Sequence, residues 1–194
     1  MKKIRAAILI SGRGSNMEVI IKNSISGSLA RICEIVTVVS NKPGAAGINK
    51  AKTLGVPCII IESKGKKRED FDAELLSVLK PMNIEHIILA GFNRVLSPII
   101  ISAYKNRIIN IHPADSKVYQ GLHGYRWAYE NLFDKTKITV HLVDEGVDTG
   151  RILAQTEIDL NGCSSLEDVE ALGLAIENVF YSEVLEKFFN AELK

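Results

Sequence analysis

Short apolar runs alternate with longer amphipathic stretches along the chain. The runs are rich in isoleucine and valine and end at turn residues, which predicts strands over residues 4–10, 35–40, 57–61, 86–90, 107–112 and 139–143. Between them, apolar residues recur at helical spacing, which predicts helices over residues 16–24, 47–54, 68–79 and 97–104. A last repeat of the same kind predicts a long helix over residues 166–189.

This alternation of strands and helices predicts the fold class. Strand–helix–strand units at this spacing indicate an α/β protein with a Rossmann-like, mostly parallel and twisted sheet flanked by helices. Right-handed crossovers then place the carboxyl ends of the strands, and with them a ligand site, along one edge of the sheet. No internal repeat or linker divides the sequence, so we expect a single domain over residues 1–194.

Composition and charge narrow the class of protein. Hydrophobic residues make up 46% of the sequence and charged residues 24%, which is the balance of a soluble globular protein. The formal net charge is +1, so there is no general electrostatic reason to expect nucleic acid or an anionic membrane as a partner. No long apolar stretch or cleavage site follows the charged residues 1–5, and we expect a cytoplasmic protein without a signal peptide or membrane span.

A glycine-rich turn follows the first predicted strand. Residues 11–16 read Ser-Gly-Arg-Gly-Ser-Asn, and a helix begins within this segment. Glycines let the backbone approach a bound group, and the free N–H donors of a helix start favour an anion. The side chains of Ser15 and Asn16 can add hydrogen bonds, so the segment has the form of a phosphate site. The alternative is an ordinary turn between strand and helix that Ser15 caps.

A polar pair lies on the fifth predicted strand, in the segment Asn110-Ile111-His112-Pro113. Because side chains alternate along a strand, Asn110 and His112 share one face. Buried polar groups need partners, and Pro113 ends the ladder, so we expect His112 at a sheet edge facing a crevice. Two interpretations stay open at this point: a catalytic pair, or a histidine with a structural role.

An acidic, glycine-containing loop follows the sixth predicted strand. Asp144, Glu145 and Asp148 lie close together in it, which at first suggests a metal site. We expect no metal, because Asp144 and Glu145 are adjacent and point apart, no histidine lies at ligand spacing on a helix, and the calcium-loop pattern is absent. The better interpretation is that Asp148 orients or charges a histidine.

These three segments, in this order, carry a resemblance to a known family. The chain resembles the folate-dependent phosphoribosylglycinamide formyltransferase family along nearly its whole length. The motifs are the opening Ser-Gly-x-Gly-Ser-Asn, Asn-x-His-Pro at 110–113, Asp-x-Gly at 148–150, and the segments 39–42 and 89–97. The opening turn points to the glycinamide ribonucleotide branch, whereas Asn-x-His-Pro and Asp-x-Gly belong to the wider formyltransferase superfamily.

The resemblance implies an enzyme that moves the formyl group of 10-formyltetrahydrofolate onto the amine of glycinamide ribonucleotide in purine biosynthesis. It implies that Asn110 and a protonated His112 stabilise the oxyanion, and that Asp148 favours the cationic form of the imidazole. It assigns the phosphorylated substrate to Gly14, Ser15, Asn16 and Glu177. It assigns the folate to Arg68, Asn93, Arg94, Val95, Leu96, Asp144 and Val147.

The sequence departs from the family pattern after Pro113. The usual Ser-Leu-Leu-Pro stretch is replaced by Ala-Asp-Ser-Lys at residues 114–117. We expect this loop beside the formyl-transfer site, so the change bears on the acceptor amine and on the exclusion of water. His123 and Tyr125 either line the altered pocket or pack the start of the next helix. The alternatives are a formyltransferase or deformylase of the same superfamily with a different acceptor, or a silent folate- or nucleotide-binding homologue.

Overall fold

The computed structural model describes residues 3–193 and is built on a seven-stranded sheet. Its strands are, in chain order, β1 Ile4–Ile10, β2 Cys33–Ser40, β3 Cys58–Ile60, β4 His86–Leu89, β5 Ile108–His112, β6 Lys135–Leu142 and β7 Ile152–Asp159. Across the sheet the order is β3-β2-β1-β4-β5-β6-β7, and the pairings among β1 to β5 are parallel. The predicted α/β class with a mostly parallel sheet is confirmed.

Helices cover both faces of this sheet. They are α1 Ser15–Ser26, α2 Gly47–Thr53, α3 Arg68–Leu79, α4 Pro98–Ala103, α5 Gly124–Glu130 and α6 Leu166–Glu192. The long α6 begins with a capping box, in which the Ser165 hydroxyl accepts from the Asp168 N–H and the Asp168 carboxylate accepts from the Ser165 N–H. Within residues 3–193 no helix combines the length and apolarity that crossing a membrane requires.

The sequence pattern missed β7 and the first half of β6. β6 begins at Lys135 rather than at residue 139, and β7 pairs with it antiparallel along its whole length at the edge of the sheet. The side chains of residues 152–156 are half-buried without alternation, and Glu157 and Asp159 are exposed. Ile158 reaches the core and Leu153 and Ala154 pack against it, but most side chains of β7 are neither fully buried nor fully exposed, so the period-two signal is weak.

Apolar side chains fill both faces of the sheet in two separate clusters. β1 shows the division, because Ala6, Ile8 and Ile10 belong to the cluster that packs on α1 and α6, whereas Ala7 and Leu9 belong to the cluster that packs on α3 and α4. A strand buried on both faces has a continuous apolar sequence, which is why residues 6–10 read Ala-Ala-Ile-Leu-Ile. Burying each large apolar side chain contributes about 1.5–3 kcal/mol.

The order of the strands sets the position of the site. From β1 the chain moves outward to β2 and β3, and it then returns to β4 on the other side of β1. In open α/β sheets such a reversal leaves a crevice at the carboxyl ends of the strands. β1 ends there at the glycine turn, β4 ends at the loop 90–97, and β5 ends at His112.

A tyrosine of α6 ties two central strands together. The Tyr181 side chain is fully buried, and its hydroxyl lies 3.0 Å from the carbonyl oxygen of Leu89 and 2.9 Å from that of Ile109. Tyr181→Phe keeps the ring but removes the buried donor, so we expect the free energy of unfolding to fall by about 1–3 kcal/mol. Equilibrium urea unfolding measures the difference. Tyr129→Phe on α5, where the ring is exposed, is the matched control and should stay within about 0.5 kcal/mol.

Candidate active site

β5 carries Asn110 and His112 to the carboxyl edge of the sheet. It is an inner strand, paired with β4 on one side and with β6 on the other, so His112 lies at the carboxyl end of the sheet and not on a lateral edge strand as Pro113 suggested. Pro113 does end β5, but only after His112 has paired with Thr139 of β6. His112 is 3% exposed, and Asn110 is half-buried.

The Asp148 carboxylate faces both residues of this pair. Its Oδ1 accepts a hydrogen bond from Asn110 Nδ2 at 3.2 Å, and its Oδ2 lies 3.3 Å from His112 Nδ1. The backbone N–H of Gly121 donates to Oδ2 at 2.9 Å. Asp148 has a φ of 54°, a left-handed conformation that aspartate adopts more readily than most residues. The three residues that the resemblance made catalytic therefore form one cluster.

β6 adds a second histidine to this cluster. His141 is 2% exposed and lies opposite Asn110 in the pairing of β5 with β6. Its Nε2 lies 3.2 Å from Asn110 Nδ2 and 3.4 Å from Asp148 Oδ1, while Nδ1 lies 2.9 Å from the carbonyl oxygen of Leu142. A proton on Nδ1 can donate to that carbonyl, which leaves Nε2 as an acceptor for the Asn110 amide. His141 therefore supports the cluster from inside the sheet.

Tyr119 covers His112 from the loop after β5. Its carbonyl oxygen lies 2.9 Å from His112 Nε2, and the two rings stack with centroids 6.5 Å apart. The Tyr119 ring also stacks on Trp127 of α5, at 4.6 Å. The residue type of Tyr119 gives no signal for its hydrogen-bond contact with His112, because that contact is made by a backbone carbonyl, which every residue has.

Burial lowers the pKa of His112 below its ordinary value of 6.5. The Asp148 carboxylate and the hydrogen bond to the Tyr119 carbonyl raise this pKa but offset only part of the effect of burial. The Asp148 carboxylate therefore favours the cationic form of His112, as the resemblance implies, but the net direction is a pKa below 6.5. The physical reason is that loss of water around a buried imidazole outweighs one neighbouring carboxylate.

Asp148, by contrast, is held as an anion. Burial raises the pKa of its carboxyl, but the contact with His141, the hydrogen bond from the Gly121 N–H and the nearby His112 lower it more. The net direction is a pKa below the ordinary value of 3.8. The cluster therefore consists of a carboxylate, an amide and two buried imidazoles.

The glycine turn joins β1 to α1. Gly14 is the N-cap of α1 with a φ of 66°, and Ser15 is the first helical residue, so the expectation that Ser15 caps the helix is wrong. A Cβ on Gly14 would lie 3.0 Å from the Cα of Gly47, so this approach of two backbones requires glycine. The first N–H groups of α1, those of Ser15 and Asn16 among them, have no acceptor inside the helix. Such a helix start favours an anion.

The Asn16 side chain points to α6 rather than to the turn. Its Nδ2 donates to Glu177 Oε2 at 2.7 Å. Glu177 lies on the buried side of α6 and is 7% exposed. The structure brings these two predicted substrate residues together, and it leaves the backbone N–H as the part of Asn16 that is available at the turn.

The residues assigned to the folate lie mainly in the loop after β4. The Asn93 N–H donates to Ser11 Oγ at 2.8 Å, which ties this loop to the glycine turn. Val95 is 46% exposed, whereas Leu96 is buried in the core under α3 and α4. Of these two apolar residues, the exposed Val95 is the one free to contact a ligand.

Two arginines flank this loop differently. The Arg94 guanidinium lies 4.9 Å from the ring centroid of Phe71 and donates to the carbonyl oxygen of Lys66 at 3.1 Å. Arg68 is exposed at the start of α3, where its Nε lies 3.3 Å from Glu69 Oε1. Arg94 is thus held in place by its neighbours, and Arg68 is a solvated side chain that a ligand carboxylate can recruit.

The acidic loop is organised by Asp144 and closed by a glycine. Asp144 Oδ1 accepts from the Gly146 N–H at 3.1 Å and from the Thr149 hydroxyl at 2.7 Å, and Val147 is exposed in the same loop. A Cβ on Gly150 would lie 1.7 Å from the carbonyl oxygen of Leu142, so the loop can return to β6 only with glycine there. Across residues 3–193 there is no group of three or more His, Cys, Asp or Glu side chains that could hold a metal ion.

Comparison with known proteins identifies the family. The family model described as formyl transferase matches residues 4–185. This chain belongs to the formyl transferase family. It is 34% identical to the phosphoribosylglycinamide formyltransferase of Escherichia coli (strain K12), over 96% of this chain and 88% of that protein.

Some relatives of this chain are much longer. The chain is 40% identical to the trifunctional purine biosynthetic protein adenosine-3 of Drosophila melanogaster over 82% of its own length. It spans only 12% of the length of that relative. The similarity to this protein therefore covers one part of a much larger polypeptide.

Solved structures of the family share the fold. Phosphoribosylglycinamide formyltransferase from Bacillus halodurans superposes with a TM-score of 0.90 at 34% identity, covering 95% of this chain and 94% of that chain. Glycinamide ribonucleotide transformylase 1 from Geobacillus kaustophilus gives a TM-score of 0.91 at 32% identity, covering 97% and 100%.

The charge state of His112 is open to direct measurement. We expect its pKa, followed by NMR of the imidazole Cε1–H, to lie below 6.5, and to fall further in Asp148→Asn because the anion that raises it is neutralised. The folded protein takes up this proton at lower pH than the unfolded chain, so His112 costs stability as the pH falls from about 6.5 toward the folded pKa. Glu145→Gln, which neutralises an exposed carboxylate of the same loop, is the control and should leave the His112 pKa unchanged. A pKa above 6.5 would contradict the dominance of burial.

Proposed function

We propose that this protein transfers the formyl group of 10-formyltetrahydrofolate to the amine of glycinamide ribonucleotide, a step of purine biosynthesis. The observation that carries the proposal is the cluster of Asn110, His112 and Asp148 beside a glycine turn in a member of the formyl transferase family. Both substrates are small molecules. The folate serves as the formyl donor and the phosphorylated ribosyl amine as the acceptor.

The chemical step requires stabilisation of negative charge. When the amine attacks the formyl carbon, an oxyanion develops on the formyl oxygen, and preorganised donors at that position lower the barrier. Asn110 and His112 are the donors proposed here. Since Nδ1 of His112 faces Asp148, Nε2 is the nitrogen left for the substrate, and the Tyr119 carbonyl must move away from it for catalysis.

The lowered pKa of His112 is compatible with this role. With the Asp148 carboxylate at Nδ1, a neutral imidazole carries its one proton on Nδ1, and Nε2 donates to the formyl oxygen once the ring is protonated. As charge develops on that oxygen, a second anion joins Asp148 beside the ring, and nearby anions raise a histidine pKa. His112 therefore gains a proton most readily when the oxyanion is most developed. The proton that the amine loses can pass through His112 or an ordered water to the leaving nitrogen of the folate.

The remaining predicted residues divide between the two substrates. The phosphate would lie on the backbone N–H groups at Gly14, Ser15 and Asn16, where the positive end of α1 favours an anion. Glu177 would accept hydrogen bonds from the ribosyl amine. For the folate, the exposed Arg68 and Val95 and the loop of Asp144 and Val147 offer contacts, with Asn93, Arg94 and Leu96 supporting the loop after β4.

A second candidate is a formyltransferase of the same family with another acceptor. The observation that favours it is the altered loop after Pro113, which lies directly on His112 through Tyr119. An assay of folate deformylation separates the two candidates, because it can be run with glycinamide ribonucleotide and with other amines. Folate binding without turnover of glycinamide ribonucleotide would favour the second.

The decisive experiment follows folate deformylation spectroscopically with and without glycinamide ribonucleotide. We expect acceptor-dependent turnover, and a loss of about two to four orders of magnitude in kcat for both His112→Ala and Asp148→Asn, because each removes a group that stabilises charge or transfers a proton. Asp134→Asn, an exposed carboxylate outside the site, should retain the wild-type rate. Near-wild-type turnover of either active-site variant would remove that residue from the mechanism.

The phosphate site is tested by a pair of glycine variants. Gly14→Ala puts a side chain at a φ of 66° and 3.0 Å from the Gly47 backbone, so it should raise the Michaelis constant for the phosphorylated acceptor at least tenfold by pushing the backbone away from the phosphate. Gly55→Ala is the matched control, because Gly55 has a φ of 76° but open space around its Cβ position. It should cost similar backbone strain and leave the Michaelis constant unchanged. Equal constants for the two variants would argue against phosphate binding at Gly14.

A further inference from the structure

A buried carboxylate on α6 is held by two residues that are distant in sequence. Glu177 Oε1 accepts from the Tyr125 hydroxyl at 2.6 Å, and Oε2 accepts from Asn16 Nδ2 at 2.7 Å. Tyr125 belongs to α5, directly after the loop that covers His112, and Asn16 belongs to the start of α1. Glu177 therefore links the loop over the catalytic cluster to the glycine turn.

The Tyr125 ring reaches Glu177 because α6 has a glycine beside it. A Cβ on Gly173 would lie 2.2 Å from Tyr125 Cζ and 2.5 Å from its hydroxyl oxygen. Gly173 has an ordinary helical backbone, so glycine is not needed there for a special conformation. The absence of a side chain makes room for the phenol ring of Tyr125. Tyr125 and Gly173 are thus a complementary pair that delivers one hydroxyl to one carboxylate.

The Glu177 carboxylate and the Asn16 side-chain oxygen can accept more hydrogen bonds than residues 3–193 donate to them. Each carboxylate oxygen can accept two hydrogen bonds, and each oxygen of Glu177 accepts one from the protein. Asn16 Oδ1 is buried and has no partner among residues 3–193. A group of buried acceptors without matching donors suits a ligand that brings hydroxyl or amine hydrogens, as a ribosyl amine does.

We propose that Tyr125 is a positioning residue that fixes the Glu177 carboxylate, in the space made by Gly173, so that its free lone pairs receive the ribosyl amine. The proposal rests on the function proposed above. It assigns a role to Tyr125, for which the sequence had left two interpretations open: lining the altered pocket or packing the start of the next helix. Tyr125 does not touch the reacting atoms. It acts through Glu177.

The electrostatics of the cluster agree with this role. Burial raises the pKa of Glu177, and the hydrogen bonds from Tyr125 and Asn16 lower it in part. Removing the Tyr125 hydroxyl leaves one oxygen of a buried carboxylate without its donor, so the pKa of Glu177 rises further and the side chain is freer to turn. The titratable side chains that face Glu177 are Tyr125 on α5 and Tyr181 on α6 itself.

Steady-state kinetics of Tyr125→Phe test the proposal. We expect the Michaelis constant for glycinamide ribonucleotide to rise about 10- to 100-fold, the effect of losing one hydrogen bond to a charged group. The Michaelis constant for the folate and kcat should stay within about twofold, since the reacting atoms keep their contacts. Tyr129→Phe, an exposed tyrosine on the same helix, is the matched control and should leave all three constants unchanged.

A double-mutant cycle separates positioning from general packing. If Tyr125 acts through the carboxylate, Tyr125→Phe adds less than about twofold to the Michaelis constant in a Glu177→Gln background. Fully additive effects would overturn the proposal, because Tyr125 would then contribute independently of Glu177.

A third measurement needs no substrate. NMR titration of the Glu177 side-chain carboxyl carbon, assigned by its absence in Glu177→Gln, should show a higher pKa in Tyr125→Phe than in the parent. An unchanged pKa, with an unchanged Michaelis constant in an active enzyme, overturns the proposal and leaves the proposed function standing. Absence of acceptor-dependent turnover in the parent instead contradicts the proposed function, and the NMR titration still decides whether Tyr125 fixes Glu177.

Discussion

The structure of the site depends on keeping a carboxylate charged inside the protein. Asp148 is largely buried, and a buried ion costs several kcal/mol unless hydrogen bonds compensate its lost hydration. Its donors come from separate parts of the chain: the Asn110 amide on β5 and the Gly121 N–H in the loop that follows. His141 on β6 adds a further contact to the same carboxylate. The antiparallel pairing of β5 with β6 places Asn110 opposite His141 so that both reach this carboxylate, and Gly150 lets the loop return against the end of β6.

The sheet places the Asp148 carboxylate at the edge where the carboxyl ends of β1, β4 and β5 meet. The reversal of strand order between β1 and β4 opens a crevice at their carboxyl ends, so the start of α1 and the cluster around Asp148 lie along the same edge. Two hydrogen bonds join the two loops that border the crevice, one from the Asn93 N–H to Ser11 Oγ and one from the Ser11 N–H to the carbonyl oxygen of Gly91. The glycine turn offers backbone donors to an anion, while the β5–β6 cluster offers polar side chains to a reacting carbonyl. One edge therefore carries an anion-favouring turn and a polar cluster, the two parts that the proposed group transfer requires.

The local pattern of apolar and polar residues was enough to predict the bounds of some strands and helices. β1 and α3 have the predicted bounds, because a doubly buried strand and an amphipathic helix each leave a clear periodicity in the sequence. Asn110 and His112 share a face because side chains two residues apart in a strand point to the same side of the sheet, and this depends only on local spacing. β7 left no such signal, since an edge strand with half-buried side chains is defined by the partner it pairs with.

The amino-acid sequence by itself determined the fold class and the glycine turn, which follow from the order and spacing of residue types, and it named the three clustered polar residues through the family motifs that it carries. Tertiary structure alone decided how those residues are charged and held. The Tyr119 carbonyl meets His112 through a backbone group that carries no residue-type signal, and the pKa of His112 falls because other elements exclude water from it. Asn16 turns to Glu177 rather than to the turn because α6 brings a buried carboxylate within 2.7 Å of it. Hydration and long-range contact are properties of the packed chain, so they become visible only when the elements are assembled.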